Sequence, residues 1–187
     1  MTNYFIVPGL GNSGEEHWQT YFEKSDNRFQ RINQQEWNAP ACIDWIRTIE
    51  NAIADYEPET VVLIGHSLGC LAIAHWAARY GKKIKGALLV APSDFEAPQY
   101  TFPATGFAPI PKDNLNFKTI VVASTNDVWV SPERAKYFAD CWGSAFISIG
   151  DAGHINAASG FGQWPQGLEI LKKTWLTNKS ESSVPKT

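Results

Sequence analysis

Residues 61–69 read Val61-Val62-Leu63-Ile64-Gly65-His66-Ser67-Leu68-Gly69. The first four are branched and apolar, too short a run for a free-standing helix and rich enough in valine and isoleucine for a buried parallel strand. The pattern then changes abruptly, because residues 68–80 carry frequent Ala and Leu and no Pro, the composition of a helix. Ser67 therefore stands on a strand-to-helix corner of the form Gly-x-Ser-x-Gly. So sharp a corner strains the backbone of its middle residue, and residues without a Cβ on either side leave room for neighbouring segments to cross. The corner lifts the hydroxyl above the carboxyl edge of the sheet. The helix behind it presents N–H groups, that of Leu68 first, and the positive end of its dipole to whatever the oxygen attacks.

Upstream, residues 3–7 form a short β-rich run that opens into Pro8-Gly9-Leu10-Gly11-Asn12-Ser13-Gly14. Bare backbone at the carboxyl edge of a sheet approaches a ligand closely, and the N–H of Leu10 is the expected second oxyanion donor. Neither GxGxxG nor a Lys-Ser/Thr ending is present, which argues against a phosphate loop. Residues 15–23 read as a helix with Trp18, Tyr21 and Phe22 inward, and His17 on it reads as a surface or packing histidine. Residues 28–33 give a second strand, polar enough for an edge. Residues 42–56 carry Ile43, Ile46, Ile49, Ala52 and Ile53 at spacings of three and four, one apolar helix face. Strand, helix, strand, helix implies a parallel sheet with right-handed crossovers.

Downstream, residues 84–90 are the next strand. Residues 95–117 then interleave four prolines with aromatics and lack helical periodicity, as a lid-like or binding loop does. Strands are expected at 118–124 and 145–149, a helix at 132–141 capped by Ser131 with Pro132 at its first position, and a closing helix at 166–176. The reading is one α/β domain over residues 1–177, a mostly parallel sheet of about six strands with helices on both faces. Residues 178–187 form a polar tail expected to be disordered.

Asp127 follows the strand at 118–124, and His154 follows the strand at 145–149. Three strands thus deliver Ser67, Asp127 and His154, in that order, to one edge of one sheet. Serine is a weak nucleophile until a base takes its proton, and an imidazole base needs a carboxylate to fix its tautomer. Asp94, after the strand at 84–90, is the competing acid. His66 is expected to point away from the serine and pack, His75 falls within a helix, and Asp151 reads as a turn residue. The aromatics Phe95, Tyr100, Phe107, Trp129, Phe161 and Trp164 are the expected pocket wall, which suits a small or medium apolar group.

The 187 residues, 44% hydrophobic and 13% aromatic, suffice for a sizeable core, and a net charge of −3 offers no electrostatic case for nucleic acid or an anionic membrane. No apolar run approaches the roughly 20 residues that span a bilayer, and the chain opens on a strand without a basic leader, so the expected location is cytoplasmic. Cys42, Cys70 and Cys141 are odd in number and lack CxxC spacing, which disfavours disulfides and zinc. They read as small buried hydrophobes. No cofactor or metal cluster is expected, and no oligomeric state follows.

Several segments together resemble the small serine hydrolases related to retinoblastoma-binding protein 9, in the α/β-hydrolase superfamily. They are Val7-Pro8-Gly9-Leu10-Gly11, residues 65–69, Ala91-Pro92-Ser93, Asn126-Asp127, Gly153-His154-Ile155-Asn156 and Ser159-Gly160-Phe161-Gly162-Gln163-Trp164-Pro165. The resemblance implies a minimal α/β-hydrolase fold and a Ser67–His154–Asp127 triad cleaving an ester, thioester or activated amide of a small-molecule acyl substrate. The Leu-x-Cys-x-Glu segment associated with retinoblastoma protein binding in the vertebrate relative is absent, so that partner is not carried over. The alternatives are a protein-interaction module on the same scaffold and an acyltransferase using the same site.

Overall fold

Alternation along each strand decides the architecture. In β1 (Asn3–Val7) the side chains of Tyr4 and Ile6 enter one apolar cluster and those of Phe5 and Val7 another. The split recurs in β3 (Val61–His66), where Val62 and Ile64 oppose Val61 and Leu63, and in β4 (Gly86–Val90), where Leu88 and Val90 oppose Ala87 and Leu89. A strand apolar on both faces needs cover on both faces, which is the physical basis of a helix-flanked parallel sheet. The computed structural model describes residues 1–176. Among them, six strands form one all-parallel sheet in the order β2-β1-β3-β4-β5-β6, with β2 at Phe29–Arg31, β5 at Thr119–Ala123 and β6 at Ala145–Ser148. The polar β2 and the partly exposed β6 are the edges, and the tail expected at 178–187 lies outside the described residues.

One face is covered by α2 (Cys42–Ile53), α3 (Leu68–Tyr80) and α4 (Pro132–Trp142), through Trp45, Ile49, Trp76, Phe138 and Trp142. The other is covered by α1 (Trp18–Ser25) and α5 (Pro165–Leu171), through Trp18, Phe22, Trp164 and Leu171. Helix α1 starts at Trp18 rather than Glu15. Residues 14–17 close a turn, with His17 N–H donating to the Gly14 carbonyl, and the His17 ring then caps the helix by accepting the Gln19 N–H. Past α5 the chain continues as a π-helical turn to Leu176, which lays Trp175 on Gly86, where a Cβ would come within 2.3 Å of the indole nitrogen.

The segment 95–117 divides. Its distal half is core: Phe107 is fully buried, and the Phe107 and Pro111 carbonyls accept from His75 and Trp142. Its proximal half carries Tyr100 and Phe102 to the carboxyl edge of the sheet. No helix among the described residues is long and apolar enough to cross a membrane.

The loop after β1 crosses directly over the corner between β3 and α3. A Cβ on Gly69 would lie 2.1 Å from the Val7 carbonyl oxygen and 2.7 Å from that of Pro8, and one on Gly9 would lie 2.8 Å from the Ser67 Cβ. These are backbone obstacles that no rotamer change relieves. Gly69→Ala is therefore expected to destabilise the fold by on the order of 3 kcal/mol, read as a lower urea midpoint.

Candidate active site

Ser67 occupies the corner with φ 55° and ψ −124°, a conformation that costs an L-residue on the order of 1–3 kcal/mol. Its N–H donates to the Val90 carbonyl and its carbonyl accepts from Cys70 N–H, so the sheet and the helix both hold the strain. Gly65 lets the first turn of α3 press onto β3, since a Cβ there would lie 3.0 Å from the Cys70 backbone. Cys70 is buried with its thiol on the Val90 carbonyl, and burial pushes the thiol far up, away from reactivity; the thiol of Cys42, likewise buried, is pushed up to about 12. Cys141 is partly buried, and all three cysteines are free.

The loops after β5 and β6 are stitched together. Thr125 N–H donates to the Gly150 carbonyl, Ala152 N–H to Ser124 Oγ, and Gly153 N–H to Asn126 Oδ1 at 2.7 Å. Gly153 has φ 54° and no room for a side chain, because Ser159 Oγ would lie 2.3 Å from its Cβ. That Ser159 hydroxyl receives the His154 N–H. Asp151 meets Thr125 at an exposed turn.

These loops bring Ser67, His154 and Asp127 into one hydrogen-bonded chain. His154 Nε2 lies 2.8 Å from Ser67 Oγ, and Nδ1 lies 2.8 and 3.0 Å from the two Asp127 oxygens. A carboxylate only accepts, so Nδ1 carries the proton and Nε2 is bare for the serine hydroxyl. The Asp127 side chain is fully buried and also accepts the Trp129 N–H at 2.9 Å. Asp94, the competing acid, faces elsewhere: Arg134 grips both its oxygens at 2.7 and 2.9 Å and reaches Glu96 as well.

The ring of His66 is buried behind the base. Its Nε2–H donates to the His154 carbonyl at 2.9 Å, tying the corner to the loop that carries His154. Ser93, just beyond β4, stands 2.8 Å from Ser67 Oγ. With the single Ser67 proton directed at His154, Ser93 is the donor of that pair. The N–H groups of Gly11 and Asn12 are spent on the Trp37 and Gly9 carbonyls, whereas Leu10 N–H has no backbone partner among the described residues and Leu68 N–H sits in the first turn of α3. Gly9 packs against the corner between them, where a Cβ would lie 3.3 Å from the Leu68 nitrogen.

Ser67 opens into a cavity of about 420 Å³. Tyr100, Phe102 and Trp129 form one wall, with ring centroids 5.1–5.9 Å apart, and Asn12, His17, Asn38 and Asn156 lie among the polar lining. Among the described residues, no Lys, Arg, Asp or Glu lines it. Of the aromatics expected there, Tyr100 and Trp129 are present. Phe95 stands behind Tyr100, and Phe107 is in the core against Trp45. Phe161 and Trp164 pack with Trp18 beneath the sheet, because the chain after His154 turns under α1, where Trp18 N–H donates to the Phe161 carbonyl. Phe102, an aromatic of the 95–117 segment expected to make an apolar wall, joins Tyr100 and Trp129, whereas Ser93 and His17 are cavity residues that pattern reading missed. Ser93 had a signal in its place just past a central strand; His17 had none, since a histidine beside a turn says nothing about where its ring goes.

A model of the family described as serine hydrolase matches residues 4–173. The chain belongs to that family. A YdeN-like hydrolase from Pectobacterium atrosepticum is 36% identical to this serine hydrolase, with a TM-score of 0.84 over 94% of this chain and 91% of the other. The ydeN product of B. subtilis shares the fold at 21% identity, with a TM-score of 0.74 over 95% of this chain and all of the other (100%). The type II thioesterase BorB from the borrelidin biosynthetic cluster shares it at 15% identity and a TM-score of 0.66, over 94% and 92%. No match to the chain was found among curated proteins. The protein is thus an enzyme of the hydrolase type with an α/β-hydrolase fold, built in a minimal form.

Burial, with Arg31 nearby, pushes His17 down to about 4, and burial pushes His66 well below its ordinary value of 6.5. Between those limits the unfolded chain binds protons that the folded protein refuses, so stability is full above about pH 6.5 and falls as the pH drops toward about 4. The melting temperature is expected to decline across that window, and less steeply in His17→Asn than in the parent.

Proposed function

We propose that this serine hydrolase cleaves an ester, thioester or activated amide of an uncharged, small or medium acyl substrate through an acyl-enzyme at Ser67. The observation that carries the reading is the continuous Ser67–His154–Asp127 hydrogen-bond chain, at 2.8 Å at both of its closest links, opening on a cavity of about 420 Å³.

His154 Nε2 takes the Ser67 proton as Oγ attacks the carbonyl carbon. The N–H groups of Leu68 and Leu10 receive the charge that develops on the carbonyl oxygen, each worth roughly 3 kcal/mol in the transition state. Asp127 holds the imidazolium and keeps Nδ1 as the protonated nitrogen. His154 then returns its proton to the leaving oxygen, sulfur or nitrogen, and water repeats the sequence to release the acid. His66 serves this cycle at one remove, by fixing the backbone of the residue that moves the proton. The aromatic wall accepts the apolar part of the substrate, and the uncharged lining suits neutral substrates over ionic ones.

Ser67→Ala is expected to lower turnover of p-nitrophenyl butanoate by about 10⁴-fold or more while leaving the circular dichroism spectrum unchanged, and Asp127→Asn by about 10⁴-fold through the wrong tautomer. A fluorophosphonate is expected to label Ser67 in native but not heat-denatured protein. Labelling that persists in Ser67→Ala would refute the nucleophile. Native protein that neither labels nor turns over esters would favour an interaction module on this scaffold.

A further inference from the structure

The cavity holds a buried polar group that the acyl-enzyme cycle leaves idle. His17 Nδ1 accepts the Gln19 N–H at 3.2 Å, so in the neutral ring the proton is on the opposite edge, at Nε2. That Nε2 is buried and has no hydrogen-bond partner among the described residues, while the residue as a whole is 6% exposed and lines the cavity. Native proteins rarely leave a buried donor unmet. The neighbouring rings do not meet it. Trp18 and His66 contact the His17 ring through their faces and edges at centroid distances of 5.4 and 4.7 Å, and His66 spends its own Nε2–H on the His154 carbonyl. Gln19, which could have turned toward it, is engaged with Ser13, Val7 and Ile64.

The position of this donor is maintained from three sides. The Nδ1 contact makes His17 the N-cap of α1, Arg31 ties Asn12, Ser13 and Thr20 together just outside it, and His66 separates it from His154, whose ring centroid is 4.9 Å from that of His66. It therefore lies one imidazole away from His154, with the Arg31 guanidinium as a nearby charge, and its ring is neutral at physiological pH. A carboxylate would find no Lys or Arg in the described lining, so the matching acceptor is uncharged.

We propose that His17 is a substrate-binding residue whose Nε2–H donates to an uncharged oxygen of the substrate, an ether, hydroxyl or second carbonyl, so that preferred substrates carry such an oxygen in addition to the reacting carbonyl group. The substrate is then two-sided, with an apolar part against Tyr100, Phe102 and Trp129 and an acceptor oxygen on His17. The proposal rests on Ser67 being the nucleophile.

The test compares isosteric ester pairs that differ by one oxygen. On the acyl side the pair is p-nitrophenyl methoxyacetate and p-nitrophenyl butanoate, and on the alcohol side 2-methoxyethyl acetate and butyl acetate. Each is assayed with the parent and with His17→Asn, which keeps a capping acceptor for α1 but withdraws the distant donor. Intrinsic reactivity cancels in the ratio of ratios. His17→Asn is expected to lower kcat/KM for the oxygen-bearing member of one pair about five- to tenfold more than for its partner, chiefly through KM, and the pair affected assigns the oxygen to the acyl or the alcohol side. His17→Gln, whose longer amide restores a donor, is expected to recover part of the difference and serves as the comparison if His17→Asn does not fold. Equal losses within both pairs, with fluorophosphonate still labelling Ser67 in the variant, would overturn the role of His17 alone. Failure of the parent to label would overturn the nucleophile and this proposal together.

Discussion

The positive φ of Ser67 is the constraint on which the rest of the structure depends. An L-residue leaves the ordinary backbone regions only when its surroundings over-determine it, and here three elements do so. The N–H of Ser67 is held by β4, its carbonyl by the first turn of α3, and its Cβ by the loop after β1, which passes close enough that neither Gly9 nor Gly69 can carry a side chain. The glycines of the corner and the glycine after β1 are thus parts of one close crossing. The same crossing sets Gly9, and with it the start of the Leu10 peptide, against the Leu68 nitrogen at the head of α3.

Next to it stands a buried carboxylate with a fixed position. Asp127 is held by two hydrogen bonds, from His154 and from the Trp129 amide, in a loop whose Trp129 carbonyl in turn receives Asp94 N–H. The neighbouring acid, Asp94, is paired with Arg134, which also reaches Glu96, so its oxygens face a guanidinium and not the imidazole. Two carboxylates at adjacent strand ends therefore have different fates because one faces an imidazole and the other a guanidinium.

Three imidazoles, His17, His66 and His154, run in a row with successive centroids 4.7 and 4.9 Å apart. Burial keeps His17 and His66 neutral, and that neutrality matters at the site. Charged rings so close to His154 would oppose any positive charge on its imidazole. The aromatic wall, the lining without Lys, Arg, Asp or Glu among the described residues, and the neutral rings of His17 and His66 together give Ser67 an uncharged surround.

The sequence by itself determined the strands, their order of use and the three residues at their ends. Each is a local matter: branched apolar runs make buried strands, glycines permit the corner, and a residue immediately past a parallel strand must emerge at the carboxyl edge. A mostly parallel sheet, β2 at its edge and the emergence of Ser67, Asp127 and His154 at one end of it were legible for that reason, and the structure makes every strand pair parallel. Only the tertiary structure decided what the intervening chain does. Phe107 and Trp164 carry the same composition signal as Tyr100 and Trp129, yet the first pair is core and the second lines the cavity. Irregular segments have no repeat that tells an inward ring from a cavity ring. His17 looked like a surface or packing residue for the same reason, and the structure places it in the cavity lining, its Nδ1 on the Gln19 amide and its Nε2 without a partner among the described residues. Side-chain direction outside regular elements is set by contacts between segments distant in sequence, and those exist only after the chain has folded.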